Sequence, residues 1–419
     1  MTAPADPPTG QTLVDAWGEP VAAADAASVA AWDEAWVDAL HFRGDPMARL
    51  ADANRTDEHF VLGSVFCATY GLLAGARPDQ PGLVADVDRA RSRAATPREQ
   101  AHVHALDALM AGDFVEAGHR WDAAAGTHDL AAVRFAHDVY LHCGADADRL
   151  ASTTEALERW GPDEPGYGAL LGMHSFSLEE AGHYDDATAA GLDALARDPD
   201  DLWALHALAH VYEMTDEQDA AIDLLGGTQD RWRTQDLLAT HIWWHLALRL
   251  IAAGDHDEVL AIHDALVPTA TTAFRLCDLT SLLWRLELVG VDVGERWDVL
   301  ADRWAGTDER HTCGFLDVHA AMVFARRPAH PGAAVFLDGV HGAHRDATSE
   351  NAQTFRAAVV PLVDAITAFG AGDRAGAAEI IDGAAAVAHR IGGSIAQRDV
   401  LRLTAAAARK PAPTPGANP

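Results

Sequence analysis

Two stretches of this chain carry residues whose type and spacing suit chemistry. His206 and His210 sit four apart in DLWALHALAHVYEM, and His241 and His245 sit four apart in HIWWHLALRL. Glu213 follows His210 by three. On an α-helix, positions 206, 210 and 213 fall within an arc of roughly 60°. A plain core helix is not written with three ionisable groups on one stripe. Paired histidines one helical turn apart can chelate a divalent metal, and a nearby carboxylate can complete the set. They can equally serve as general acids or bases, or as a hydrogen-bonded network that ties helices together. The metal candidates are His206, His210, His241 and His245. The wider candidate set adds Glu213, Trp244, Asp278, Arg285, His319 and Arg398, with Asp317 and Asp399 as further charges. A divalent metal is therefore the candidate cofactor. HExxH, GxSxG and phosphate-loop signatures are all lacking.

The elements that must position these residues are helices. Apolar residues recur at intervals of three and four, as in Val29, Trp32, Trp36 and Leu40. Thr56-Asp57-Glu58 reads as a helix start, and Gly and Pro punctuate the chain at Gly75, Pro78, Pro81, Pro97, Gly112 and Gly144. No alternating β-rich run is present, so the expectation is all-α with no sheet.

The helices repeat. The tetratricopeptide (TPR) template of 34 residues asks for small residues where paired helices come closest. A unit beginning at Gly168 supplies Ser175, Ala187, Ala194 and Pro199 at the template positions. Units beginning at Leu202 and Arg98 supply Ala209 and Ala221, and Ala105, Ala117 and Ala124. Weaker units begin near Ala132, Thr240 and Ala358. The expected fold is a TPR-like helical-hairpin solenoid, a curved right-handed superhelix. Its expected divisions are tails at 1–10 and 409–419, hairpins over 11–97, core repeats over 98–266 and further helical repeats over 267–408. The repeat register places Trp203, His206, His210 and Glu213 on the inner face, together with His241, Trp244, Glu99, His102 and Glu179. His206, His210, Glu213, His241 and His245 are expected to converge on one pocket.

Several blocks go beyond a generic repeat: TPREQAHV, RFAHDVYL, FSLEEAGHYDDA, HALAHVYEM, HIWWHLALRLIAAGDHDEVLAIHD, LCDLTSLLWRLELVGVDVGERWDVL, FLDVHAAM and IGGSIAQRDVL. Through these the chain resembles the tetratricopeptide repeat protein 38 family from about Leu13 to Leu403. It departs from the family pattern at His174 and after Leu403. The resemblance implies a helical solenoid in a cytosolic protein and brings no biochemical activity with it.

Composition narrows the partners. Lys and Arg total 31 against 63 Asp and Glu, a formal charge of −32, and Lys410 is the one lysine. Nucleic acid and anionic membrane surfaces both need a cationic face, so neither is expected as a partner. MTAPADPPTG has neither the basic start nor the apolar run of a signal peptide. Cys67, Cys143, Cys277 and Cys313 are widely spaced and suit free thiols in a reducing compartment, so cytoplasm is the expected location. Two functions stay open. One is a binding module holding a small molecule or a peptide terminus in a His/Trp-rich groove. The other is an enzyme, a hydrolase or lyase using the histidines as metal ligands or general acid/base. The abundance of inward His and Trp favours a small enclosed ligand, and a homo-oligomer is left open. In IGGSIAQRDVL, the two glycines read as a helix stop and Ser394 as the next N-cap, with Arg398 paired to an internal carboxylate such as Asp278.

Overall fold

A computed structural model describes residues 10–232, 238–309 and 311–410. The expected terminal tails lie almost wholly outside these residues. Helix accounts for 75% of the structure, against a base rate of about one third for globular proteins. Among the described residues, no helix is long and apolar enough to cross a membrane. All four cysteines are free. The chain divides into two compact units, one built from residues up to 140, 146–216 and 223–239, the other from 141–145, 217–222 and 240 onward.

The first unit begins with a departure from the all-helical expectation. Gln11–Val14 and Pro20–Ala23 pair as a two-stranded antiparallel ribbon. Asp15 makes the turn between them, its carboxylate accepting from the N–H groups of Trp17 and Glu19 at 3.0 and 2.9 Å. That local side-chain-to-backbone bonding competes with helix, which is why an Asp in a short apolar run closes a turn here. The expected helix start at Thr56 is also corrected. Thr56 ends the helix Pro46–Thr56, and the next runs over Val61–Leu73. Asp57 does not cap it: one carboxylate oxygen accepts from the Ala24 N–H at 2.7 Å and the Ser28 hydroxyl at 2.6 Å, and the other from the His59 N–H at 2.9 Å, ahead of the helix.

The repeat unit beginning at Gly168 shows why small residues recur. Helices Tyr167–Glu180 and Tyr184–Arg197 form an antiparallel hairpin, and Leu202–Met214 stacks against both. Gly182, at φ 80°, makes the sharp reversal. Ser175 Oγ donates to the Ala187 carbonyl at 2.7 Å, and Ala187 and Ala194 are fully buried. A Cβ on Gly191 would meet Ser175 Oγ at 2.8 Å and Leu208 at 2.9 Å. Gly191→Val is accordingly expected to destabilise by about 1–3 kcal/mol through overpacking, outweighing the helix propensity gained on losing glycine. Thermal melting measures this; an unchanged or raised midpoint would show that the helices have room to separate.

The second unit is built from successive helices including Ala239–Ala253, Ala273–Leu288, Gly314–Arg326 and Ile395–Arg409. Its core holds Trp284, Trp297 and Trp304, each of whose indole N–H groups finds an acceptor: Thr404, Glu287 and Thr280 respectively. Large apolar rings are buried here without stranding their polar atoms. Gly392 and Gly393, at φ 86° and 77°, turn the chain into the last helix. Ser394 caps that helix, with Gln397 completing a capping box.

Candidate functional site

In the first unit, the helix Leu202–Met214 starts at Asp201, whose carboxylate accepts from the Ala204 N–H at 2.9 Å. Burial pushes the Asp201 carboxyl up to about 6. One face of this helix meets the end of Tyr167–Glu180. His206 Nε2 and His210 Nε2 lie 3.0 Å apart, the separation of one N–H···N hydrogen bond. His210 Nδ1 stands 3.6 Å from Glu179 Oε2 and 3.9 Å from Glu180 Oε1. Glu179 and His210 are 0% exposed. Burial first, and the neighbouring Glu180 second, push the Glu179 carboxyl well above its usual range. Glu213, further along the helix, is half-buried.

A single ring links this cluster to a second one. Phe176 stacks on His206 at 5.4 Å, meets His210 edge-on at 5.2 Å and touches Trp203 at 4.9 Å between centroids. His137 lies 6.0 Å from the same ring, and the Arg149 guanidinium sits over it at 4.8 Å. Burial, then the charges of Arg149 and Arg134, hold His137 well below its usual range, so it is neutral.

Other inward positions of the first unit belong to scaffolding. Glu99 accepts from the N–H groups of Ala95 and Thr96 as part of a capping box. His102 Nε2 contacts Asp129 at 2.8 Å, and its Nδ1 accepts from the Trp121 indole at 3.1 Å. Arg98 spans Asp129, Asp15 and the Pro20 carbonyl. His174, half-buried, meets the Thr153 hydroxyl at 3.0 Å. An open surface cleft of about 560 Å³ is lined by Arg55, Glu58, His59, Arg89 and Arg93. Its arginines are engaged with Asp52, Glu58 and the Asn54 carbonyl, so it offers little beyond a solvated, neutralised surface.

The second unit gathers several more of the predicted residues. His241 Nδ1 contacts Asp278 Oδ1 at 2.9 Å and stacks on Trp244 at 5.1 Å. His245 meets His241 and Trp244 edge-on, each at 4.8 Å. Arg285 lies over Trp244 at 5.7 Å. It donates to the Ala396 carbonyl at 2.8 Å and reaches Asp399 at 3.8 Å. Trp244, expected to face a groove, is buried in the apolar core of this unit, while its neighbour Trp243 is only half-buried. Asp278 pairs with His241, and the Arg398 guanidinium donates to the Gly393 carbonyl. Burial pushes His319 down to about 4, and its Nδ1 takes the Phe315 carbonyl at 2.8 Å. His319 is thus held by its own helix. Asp317 is turned towards His311, at 2.9 Å.

Sequence register found Glu179, His206 and His210 but missed Glu180, His137, Arg149 and Phe176. His137 falls one residue past an inward position in the weak unit beginning near Ala132, and Arg149 lies on that unit's second helix. The blocks RFAHDVYL and FSLEEAGHYDDA held the available signal for His137, Phe176 and Glu180.

Stacked antiparallel hairpins with small residues at their closest approach define an all-α protein of the TPR-like helical-repeat class. No protein-family model matches the sequence. Among solved structures, the chain is similar to the crystal structure of Rap protein complexed with competence and sporulation factor. That alignment covers 75% of this chain and 96% of that one, with 12% identity and a TM-score of 0.45.

Proposed function

We propose that this is a TPR-like ligand-binding protein whose first unit carries a divalent-cation centre made by Glu179, Glu180 and His210. One donor atom from each lies within 4.8 Å of the others, and all three residues are buried. This is the observation that carries the reading. Donors set about 2.1 Å from a tetrahedral zinc lie about 3.4 Å from one another, close to the separations from His210 to the two carboxylates. Mixed nitrogen and oxygen donors suit zinc over magnesium or calcium. His206, bonded to the far ring nitrogen of His210, would fix its tautomer and orientation, the usual task of an outer-shell partner. Three protein donors leave one position open for a ligand. The burial of the set favours a small molecule over an extended peptide. The blocks FSLEEAGHYDDA and HALAHVYEM supply the four residues.

The open position favours one second reading, a hydrolase or lyase, since a divalent cation bound there would supply Lewis acidity. Turnover of a candidate ligand, as opposed to binding alone, separates the two.

The test is metal content. After loading with zinc and dialysis, the protein is expected to retain one equivalent per chain by plasma emission spectroscopy. His210→Ala should lose it, and in metal-free buffer should be less stable than the parent by no more than about 1–3 kcal/mol, the cost of leaving buried His206 without that partner. A parent that retains no zinc, or a variant that retains it fully, would refute the centre.

A further inference from the structure

The second cluster around Phe176 holds donors in search of an acceptor. Arg149 is 0% exposed, and its Nη2 donates to Asp146 at 2.9 Å. Its Nε and Nη1 have no hydrogen-bond partner among the described residues. Neither ring nitrogen of His137 has one, nor does the indole N–H of Trp203. His137 and Trp203 are themselves in contact, 5.6 Å between centroids. Buried polar groups are normally satisfied, so three adjacent exceptions call for a reason.

Two other buried arginines of the unit are engaged by carboxylates. Arg98 engages two carboxylates and a carbonyl, and Arg134, which lies over Trp203 at 5.1 Å, is held by Asp138 at 2.8 Å. Arg149 differs in having two nitrogens left over in a place water reaches poorly.

We propose that Arg149, His137 and Trp203 form a binding site for the carboxylate of a small organic acid. Within these three side chains the unpartnered donor nitrogens outnumber the acceptors: two in the guanidinium, one in the indole and one in the imidazole, against the second imidazole nitrogen; Glu179, on which the Arg149 charge acts, hydrogen-bonds to none of them. An oxyanion matches that balance, and guanidinium groups suit carboxylates in particular. Phe176 and Trp203 pack against the donor residues, and these aromatic neighbours favour an organic acid over an inorganic ion. The burial of all three donor residues limits the guest to a small molecule. The Arg149 charge acts on Glu179, but the carboxylate donors are separate atoms and their proposal does not require a cation at Glu179, Glu180 and His210.

The experiment therefore uses chelator-treated protein, so that failure of the cation centre does not affect it. Benzoate, lactate and inorganic phosphate are each titrated by calorimetry and by thermal melting. At least one of the two carboxylates is expected to bind and to raise the melting temperature by several degrees, with phosphate weaker by about tenfold or more. Arg149→Met keeps a long side chain over Phe176 and should abolish the response. Because a buried guanidinium without full partners costs stability, this variant should melt no lower than the parent without ligand. His137→Phe provides a second reading should Arg149→Met fail to fold, and it should weaken carboxylate binding by about tenfold. The proposal is overturned if neither carboxylate binds, if phosphate alone binds, or if Arg149→Met or His137→Phe binds as the parent does.

Discussion

Asp129→Asn is expected to destabilise the protein by about 3–5 kcal/mol, the cost of removing one partner from a buried ion-pair network. Asp129 is fully buried and holds Arg98 through two bonds, at 2.7 and 2.9 Å, and His102 through a third. Its carboxylate also accepts from the Ala131 N–H at 3.2 Å. Although burial alone would raise its pKa, Arg98 and then His102 hold the carboxyl far below the usual range. The direction of the pH dependence follows. A depressed folded-state pKa contributes stability that is present above the unfolded value of 3.8 and is lost as pH falls towards the folded one. The gap between parent and variant should be full at neutral pH and should narrow below about pH 4. Denaturant melts at pH 7 and pH 3 measure it. A variant equal to the parent at pH 7 would show that the network adds nothing net, the outcome seen where an ion pair's desolvation matches its attraction. Because Arg98 also reaches Asp15 and the Pro20 carbonyl, this network fastens the N-terminal ribbon to the first repeat. The ribbon should loosen in the variant and show faster amide exchange.

Glu179→Gln should act in the opposite direction. The folded-state pKa of Glu179 is raised by burial and by Glu180. A raised carboxyl contributes stability that is present below the unfolded value of 4.5 and is lost as pH rises through the folded value. Metal-free parent protein should therefore lose stability over that window, and Glu179→Gln, which cannot ionise, should lack that part of the slope. At neutral pH the variant is expected to be as stable as the metal-free parent or more so. With zinc the order reverses. A cation at one hundred times its dissociation constant stabilises by about 2.7 kcal/mol, and the variant should forfeit most of that gain. Cation binding displaces a proton from Glu179, so uptake should release protons and tighten as pH rises. Calorimetry in two buffers of different ionisation enthalpy measures the release. An equal zinc response in parent and variant would remove Glu179 from the centre.

The two networks occupy equivalent addresses in the repeat. Glu99 and His102 fall at inward register positions of one unit, as His206 and His210 do in another and Glu179 does in a third. Sequence alone determined those addresses, because the period of small and apolar residues sets which face of each first helix is turned inward. It also determined that the chain would be helical hairpins, since Ser175, Ala187 and Ala194 suit only positions where helices touch. Tertiary structure decided which inward polar groups are spent on the scaffold. His102 is satisfied by Asp129, 27 residues away, and by Trp121, and Arg98 reaches Asp15, 83 residues away. Around Phe176, Arg149 and His137 come from the preceding hairpin, and among the described residues no hydrogen-bond partner meets their remaining nitrogens. Hydrogen-bond satisfaction depends on what distant segments bring to within about 3 Å, and register within one repeat carries no information about that. The same limit applies to Asp15. Its turn is a local event, but its use as an anchor for Arg98 exists only once the ribbon has folded against the first repeat.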